Sequence, residues 1–149
     1  MLKISVAAKA DMANIQNILV ALDLARENQT YDNFYLARDS KTKELIGVAR
    51  LEEYPEYYFL SSVGIDPKFQ RRGLGKEFLD QLLKNCLKPV FLRTVIPDFF
   101  KKAGFQVIAE IKVLAQMLPA KEEAECQWCQ PEKCTLMVKL PDATKISGI

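Results

Sequence analysis

Residues 57 to 96 carry the pattern that most narrows the choice of fold. Tyr57 to Ile65 reads as a strand after the break at Pro55. From Arg72 the apolar period lengthens to that of a helix: Leu74, Phe78, Leu79, Leu82 and Leu83 form one stripe, with Lys76, Asp80 and Lys84 off it, and Pro89 closes the segment. Val90 to Ile96 is then apolar apart from Arg93 and Thr94, the composition of a strand covered on both faces, as parallel strands usually are. A strand, helix, strand crossover follows, which makes the chain mixed α/β.

The flanking residues add elements to the same sheet. Leu2 to Ala7 reads as a strand, and Asp11 is placed to cap a helix whose Met12, Ile15, Ile18, Leu19 and Leu22 share a face, ending at the polar Asn28 to Thr30. Phe34 to Arg38 and Leu45 to Glu52 have the composition of a hairpin. Past Ile96, Pro97 suits the first turn of a short helix, Asp98 to Lys102, stopped by Gly104 as its C′ residue. A strand is expected at Phe105 to Ile111 and a last one at Thr135 to Leu140, within a less regular segment from Leu118 to Ile149.

With 149 residues, 49% of them hydrophobic, the chain suits a single domain, 1 to 149, with a core of its own. Twenty-one Lys and Arg against nineteen Asp and Glu leave a net charge of +2, too little for a general attraction to polyanions, so nucleic acid is not an expected partner. No apolar run approaches the ~18 residues of a membrane span, and Met1 to Ala10 lacks a signal-peptide core, so a cytoplasmic protein is expected. Histidine is absent, which removes the commonest general base and every imidazole metal site. Cys126, Cys129 and Cys134 are spaced C-x2-C-x4-C, but a zinc site would need Cys86, a carboxylate or water as fourth ligand; the reading is no metal, with the three cysteines as a reduced or reversibly oxidised pair or as half-buried thiols steadying a loop, and Cys86 in the core.

The chemistry concentrates between strand and helix, in Asp66-Pro67-Lys68-Phe69-Gln70-Arg71-Arg72-Gly73-Leu74-Gly75-Lys76. Gly73 and Gly75 permit close backbone approach, the first helical N–H groups are unpaired, and Arg71, Arg72 and Lys76 add positive charge, so the segment suits a diphosphate. A Walker loop is excluded because one residue rather than four separates the glycines and Glu77 follows Lys76. A dinucleotide fingerprint is excluded by Phe78, where a third small residue belongs.

The stretch from Val63 to Lys76 resembles the Q/R-x-x-G-x-G/A signature of the acyl-CoA N-acyltransferase (GNAT) family, here Gln70-Arg71-Arg72-Gly73-Leu74-Gly75. Phe99-Phe100-Lys101-Lys102-Ala103-Gly104-Phe105 resembles the family's aromatic helix end, and the element order fits from residue 1 to about 111. The resemblance implies a central twisted, mostly antiparallel sheet flanked by helices, with one splayed parallel strand pair. It implies acetyl-CoA as co-substrate, its diphosphate on backbone amides of Gln70, Arg71, Arg72, Gly73, Leu74, Gly75 and Lys76, and its pantetheine arm pairing with Val63, Gly64 and Ile65. The partners implied are acetyl-CoA and a small amine, and a homodimer is compatible with it.

Catalytic helpers common in the family are missing. Phe100 stands where many relatives have a tyrosine acid, and Phe59 where many have a glutamate, so no catalytic residue is assigned. Peptide-type α-amines, pKa ~7.7–8.0, are about a tenth neutral at pH 7 against roughly one in 2,500 for lysine, so the lack of an evident base favours an α-amine acceptor. Phe91-Leu92-Arg93-Thr94 with Phe99 to Phe105 and the later cysteines also resembles amino-acid acetyltransferases of the N-acetylglutamate-synthase type, and Arg93 would suit a substrate carboxylate or, equally, a Glu partner or solvent. Glu52, Glu53 and Glu56 are candidate bases that read first as solvated charges. Tyr54, Tyr57 and Tyr58 read as packing or cleft residues, and Ser61 and Ser62 as small residues without a nucleophilic role. Val63 to Lys76 also resembles ribosomal-protein acetylases, which leaves protein N-termini as alternative acceptors, and a noncatalytic acetyl-CoA-binding domain is the reading from outside enzymology.

Overall fold

The computed structural model describes residues 1–24, 29–107 and 135–141. These divide into two compact units, Met1–Tyr54 with Phe59–Asn85, and Pro55–Tyr58 with the chain from Cys86 onward.

In the first unit, β1 (Leu2–Val6) pairs antiparallel with β2 (Phe34–Asp39), Leu2 opposite Asp39 and Val6 opposite Tyr35. β2 pairs antiparallel with β3 (Leu45–Glu53), Phe34 opposite Arg50 and Leu36 opposite Val48, with a register shift between Ala37 and Arg38. β4 (Tyr58–Ile65) ends against the start of β3, where the Asp66 N–H donates to the Ile46 carbonyl at 2.8 Å. Helix α1 (Met12–Ala21) lays Ile15, Ile18 and Leu19 on Phe34, Leu36 and Val48 to form a core. Helix α2 (Leu74–Leu83) buries Phe78, Leu79 and Leu83.

Three expectations change here. The α1 helix ends well before Asn28: Asp23 takes a left-handed φ of 58°, its N–H donates to Val20 O and the Leu24 N–H to Leu19 O, a Schellman closure built without glycine. Asp11 does not cap α1 with its side chain. Its carboxylate instead accepts from the Ala8 N–H at 2.8 Å and pairs with Arg38 at 3.2 Å, two donors that outcompete the helix start. Cys86 lies beyond the end of α2 and is only half-buried, so it does not continue the apolar stripe.

In the second unit, β5 (Val90–Thr94) pairs antiparallel with β7 (Thr135–Lys139), and β7 in turn with β6 (Gln106–Val107). The Tyr58 N–H donates to Pro89 O at 2.8 Å, and the Tyr57 ring meets Phe91 edge-on at 5.5 Å. Helix α3 (Pro97–Lys102) ends as the sequence predicts, at Gly104 with φ 96°: the Gly104 N–H donates to Lys101 O and the Phe105 N–H to Phe100 O. The β5 strand is shorter than its apolar run. The Ile96 N–H donates to Thr94 Oγ1 at 2.9 Å, which turns the chain out of the sheet and leaves Val95 and Ile96 exposed. The strand expected at Phe105 to Ile111 is described only as β6, and the rest of it, with Cys126, Cys129 and Cys134, lies outside the described residues.

The fold is mixed α/β: in each unit helices accompany strands, and the strand pairs described within the units are antiparallel. Among the described residues no helix is long and apolar enough to cross a membrane.

Candidate functional site

The loop from β4 to α2 is held open by its own hydrogen bonds. The Asp66 carboxylate accepts from the Lys68 N–H at 3.0 Å and Pro67 starts a 3₁₀ turn, Pro67–Phe69, whose Phe69 N–H donates to Asp66 O at 2.8 Å. The Gln70 side chain folds back, its Nε2 donating to Ile65 O at 3.0 Å, so it clamps the strand end to the loop. Arg71 then takes a left-handed φ of 67° and Gly73 another, φ 75° and ψ 7°, at the N-cap of α2.

The N–H groups that follow are left without acceptors among the described residues. The first helical bond is from the Glu77 N–H to Gly73 O, at 3.2 Å, and no described residue accepts from the N–H groups of Arg71, Arg72, Gly73, Leu74, Gly75 and Lys76. A Cβ added at Gly73 would meet nothing within 4 Å, so the space over the helix start is open. Four of these groups, Gly73 to Lys76, belong to the helix start, where the dipole is positive, so the segment is a candidate seat for an anion. Arg71 and Arg72 are exposed beside it, and Arg72 lies over the Phe69 ring at 5.8 Å. The Lys76 ammonium pairs with Asp80 at 3.0 Å, so its charge is shared with the next turn of the helix.

At the end of β4, Gly64 has a different job from the one close ligand approach would give it. A Cβ there would stand 2.5 Å from Leu22 Cδ1, so this glycine admits the end of α1. Ser62 has a left-handed φ of 50°, which breaks the pleat in mid-strand, and its Oγ accepts from Gln29 Nε2 at 3.3 Å. Val63 and Ile65 on either side of Gly64 are half-exposed. All ten residues singled out for acetyl-CoA, Val63 to Ile65 and Gln70 to Lys76, thus fall in the first unit and in one strand, loop and helix start.

The positions read for proton transfer sort themselves by burial. Phe59 is 5% exposed and Phe100 6%, the latter edge-on to both Phe99 and Phe105, so neither site holds a titratable group. Glu53 and Glu56 are exposed as expected, but Glu52 is not a solvated charge. At 7% exposure it is the one buried carboxylate among the described residues; Oε1 lies 3.1 Å from Arg50 Nη1, and Oε2 accepts from the Tyr54 hydroxyl at 3.2 Å. The spacing Arg50-x-Glu52-x-Tyr54, three polar residues on one face of a strand, is the sequence signal that would have found it.

In the second unit, Arg93 sits on β5 opposite Leu136, with its Nε buried and no acceptor or carboxylate partner among the described residues. The Glu pairing considered for it is therefore absent among those residues. Tyr57 is buried against Phe91, and the Tyr58 ring lies 5.0 Å from the Lys88 ammonium. Ser61 Oγ is buried with no hydrogen-bond partner among the described residues. No group of metal-ligating side chains occurs among them either.

Comparison with known proteins agrees with this architecture. The N-acetylglutamate synthase of Neisseria gonorrhoeae, solved with coenzyme A and N-acetyl-glutamate, superposes with a TM-score of 0.74 at 17% identity over 93% of this chain, which spans 35% of that one. Rv2747 of Mycobacterium tuberculosis, solved in complex with CoA, gives 0.67 at 19% identity over 93% of this chain and 98% of that one. A GNAT-family acetyltransferase of Staphylococcus aureus gives 0.67 at 14% identity, again over 93% and 98%. The model of the acetyltransferase (GNAT) family matches residues 10–105, from the turn before α1 through the Gly104 stop. With that match across most of the described chain, the protein belongs to the acetyltransferase (GNAT) family.

Proposed function

We propose that the protein transfers the acetyl group of acetyl-CoA to the α-amine of a small amino-acid-like acceptor, by direct attack within a ternary complex. The observation that carries this reading is the cradle from Arg71 to Lys76, whose six amide N–H groups have no acceptor among the described residues. The diphosphate of acetyl-CoA supplies acceptors to them, and the backbone of Val63 to Ile65 pairs with the amides of the pantetheine arm. Recognition of this kind is mostly main-chain hydrogen bonding, strengthened because the acceptor is charged.

The neutral amine attacks the thioester carbonyl carbon, the C–N bond forms, and the C–S bond breaks as the thiolate leaves. A thiol pKa around 8.5 makes that departure feasible without a strong acid, which suits a site with Phe100 in the acid position. The synthase and Rv2747 likenesses support the same class at the level of fold.

The test is thiol release from acetyl-CoA over a panel of free amino acids, polyamines and peptide N-termini, with calorimetry of coenzyme A beside it. Turnover of amino acids supports the reading. Turnover confined to peptides would favour a protein N-terminal acetyltransferase, and tight binding with silence toward every amine would favour a noncatalytic acetyl-CoA domain.

A further inference from the structure

We infer that Glu52 takes the proton from the acceptor's ammonium group, an inference that rests on the acetyl-transfer reading. Packing gives no reason for a carboxylate at this position. Val48, Arg50 and Glu52 alternate onto one face of β3, the face on which Val48 meets Phe34, Leu36 and the apolar side of α1. An apolar residue would extend that core, whereas a buried carboxylate costs desolvation that a pairing arginine does no more than offset. Arg50 on one oxygen and Tyr54 on the other hold the group in a single orientation, as a proton acceptor requires.

The position along the sheet also suits the reaction. The Asp66 N–H bonds to Ile46 O, which sets the cradle end of β4 beside the start of β3. Glu52 lies further along β3 in the direction of the start of β4, on the order of 20 Å away at ~3.3 Å per residue. An extended pantetheine arm with its thioester covers about 16 Å at the per-bond advance of an extended chain, so acetyl-CoA seated on the cradle and lying along β4 brings its acyl carbon to that level. The neighbouring strand thus supplies the carboxylate that β4 lacks, where Phe59 is buried.

The step balances without any other reagent. The acceptor ammonium gives one proton to the Glu52 carboxylate and becomes a neutral amine; after attack the nitrogen loses a second proton to the departing thiolate, and Glu52 releases the first to solvent. The net products are the amide, coenzyme A thiol and one proton.

A base is needed only for an amine that is protonated at working pH, and this gives the experiment. Glu52→Gln is assayed with the best amino-acid acceptor of the panel and with its fluorinated analogue, whose amine is already neutral at pH 7; for alanine this is 3,3,3-trifluoroalanine. The expected result is a loss in kcat of about 10²- to 10³-fold for the ordinary acceptor and less than about threefold for the analogue, with coenzyme A affinity unchanged. An equal loss with both acceptors, or no loss with either, overturns the role of Glu52. If Glu52→Gln fails to fold, Glu52→Asp carries the comparison, keeping the charge but withdrawing it by one methylene, with a smaller loss of the same acceptor dependence. Failure of the wild type to acetylate any amine would instead defeat the acetyl-transfer reading itself.

Discussion

The cradle makes separable demands on Gly73, and two substitutions pull them apart. A side chain at φ 75° and ψ 7° pays the left-handed penalty, roughly 1–2 kcal/mol for most residues and less for Asn. Because an added Cβ meets nothing within 4 Å, that backbone term is the whole folding cost of Ala. Gly73→Ala is therefore expected to lose about 1 kcal/mol in urea titration and Gly73→Asn less. Coenzyme A affinity should run in the opposite order, because the larger Asn side chain enters the space over the amides. Gly73→Glu adds charge to bulk: at ~4 Å from one phosphate charge, repulsion is about 1 kcal/mol in water and about 4 at an effective dielectric of 20. That corresponds to a rise in Kd from several-fold to several-hundred-fold. Calorimetry at two salt concentrations reads it, and the charge contribution should shrink at the higher one. Affinity equal to wild type in both Asn and Glu variants, with folding intact, would refute the assignment of the diphosphate to this turn.

Other perturbations read different parts of the molecule. Gly64→Ala brings a Cβ to 2.5 Å from Leu22 Cδ1, the tip of a side chain that can turn aside, so a loss of about 1 kcal/mol is expected in denaturant unfolding. Asp39 is held below the usual carboxylate range by the Thr42 and Lys41 N–H groups, at 2.9 and 2.8 Å. A lowered folded pKa stabilises above the unfolded value of 3.8 and the gain is lost as pH falls through the folded value. The stability gap between wild type and Asp39→Asn should therefore narrow below about pH 4, and a gap that widens there would contradict the sign.

Hydrophobic pattern located β2 and β3 to within a residue or two and the start of α2 as closely, because each buries one face, but α2 ends at Leu83, well before the Pro89 expected to close it. Ends were harder, and the reason differs at each. Gly104 announced its left-handed turn, while Asp23 makes the same closure with a residue that carries no such signal. Val95 and Ile96 look like strand in composition, but strand identity needs a partner for the backbone, and Thr94 Oγ1 takes the N–H that would have gone to one. Asp11 has the right side chain for a cap, yet where a carboxylate spends its acceptors depends on donors brought by the fold, here Arg38 from β2.

The same division separates the helix start proposed to take the diphosphate, whose turn and cap the sequence marks, from the proposed acceptor side, which it does not mark. A diphosphate site made of peptide N–H groups needs a helix start, a left-handed turn and little else, and each leaves a local mark in the sequence, although the left-handed Arg71 shows that glycine marks only part of the turn. Acceptor chemistry instead depends on which way a strand faces and how deeply a hairpin end is covered. Glu52 and Glu53 are adjacent and identical in type, but the pleat turns one inward beside Arg50 and the other to solvent. Composition cannot separate them; the neighbours two residues away can. Arg50 and Tyr54 matter for that reason beyond the ion pair and the hydrogen bond they make: a chain that places a cation, an anion and a phenol at alternate positions forgoes core, and in a small domain that loss persists where the polar groups serve the chemistry.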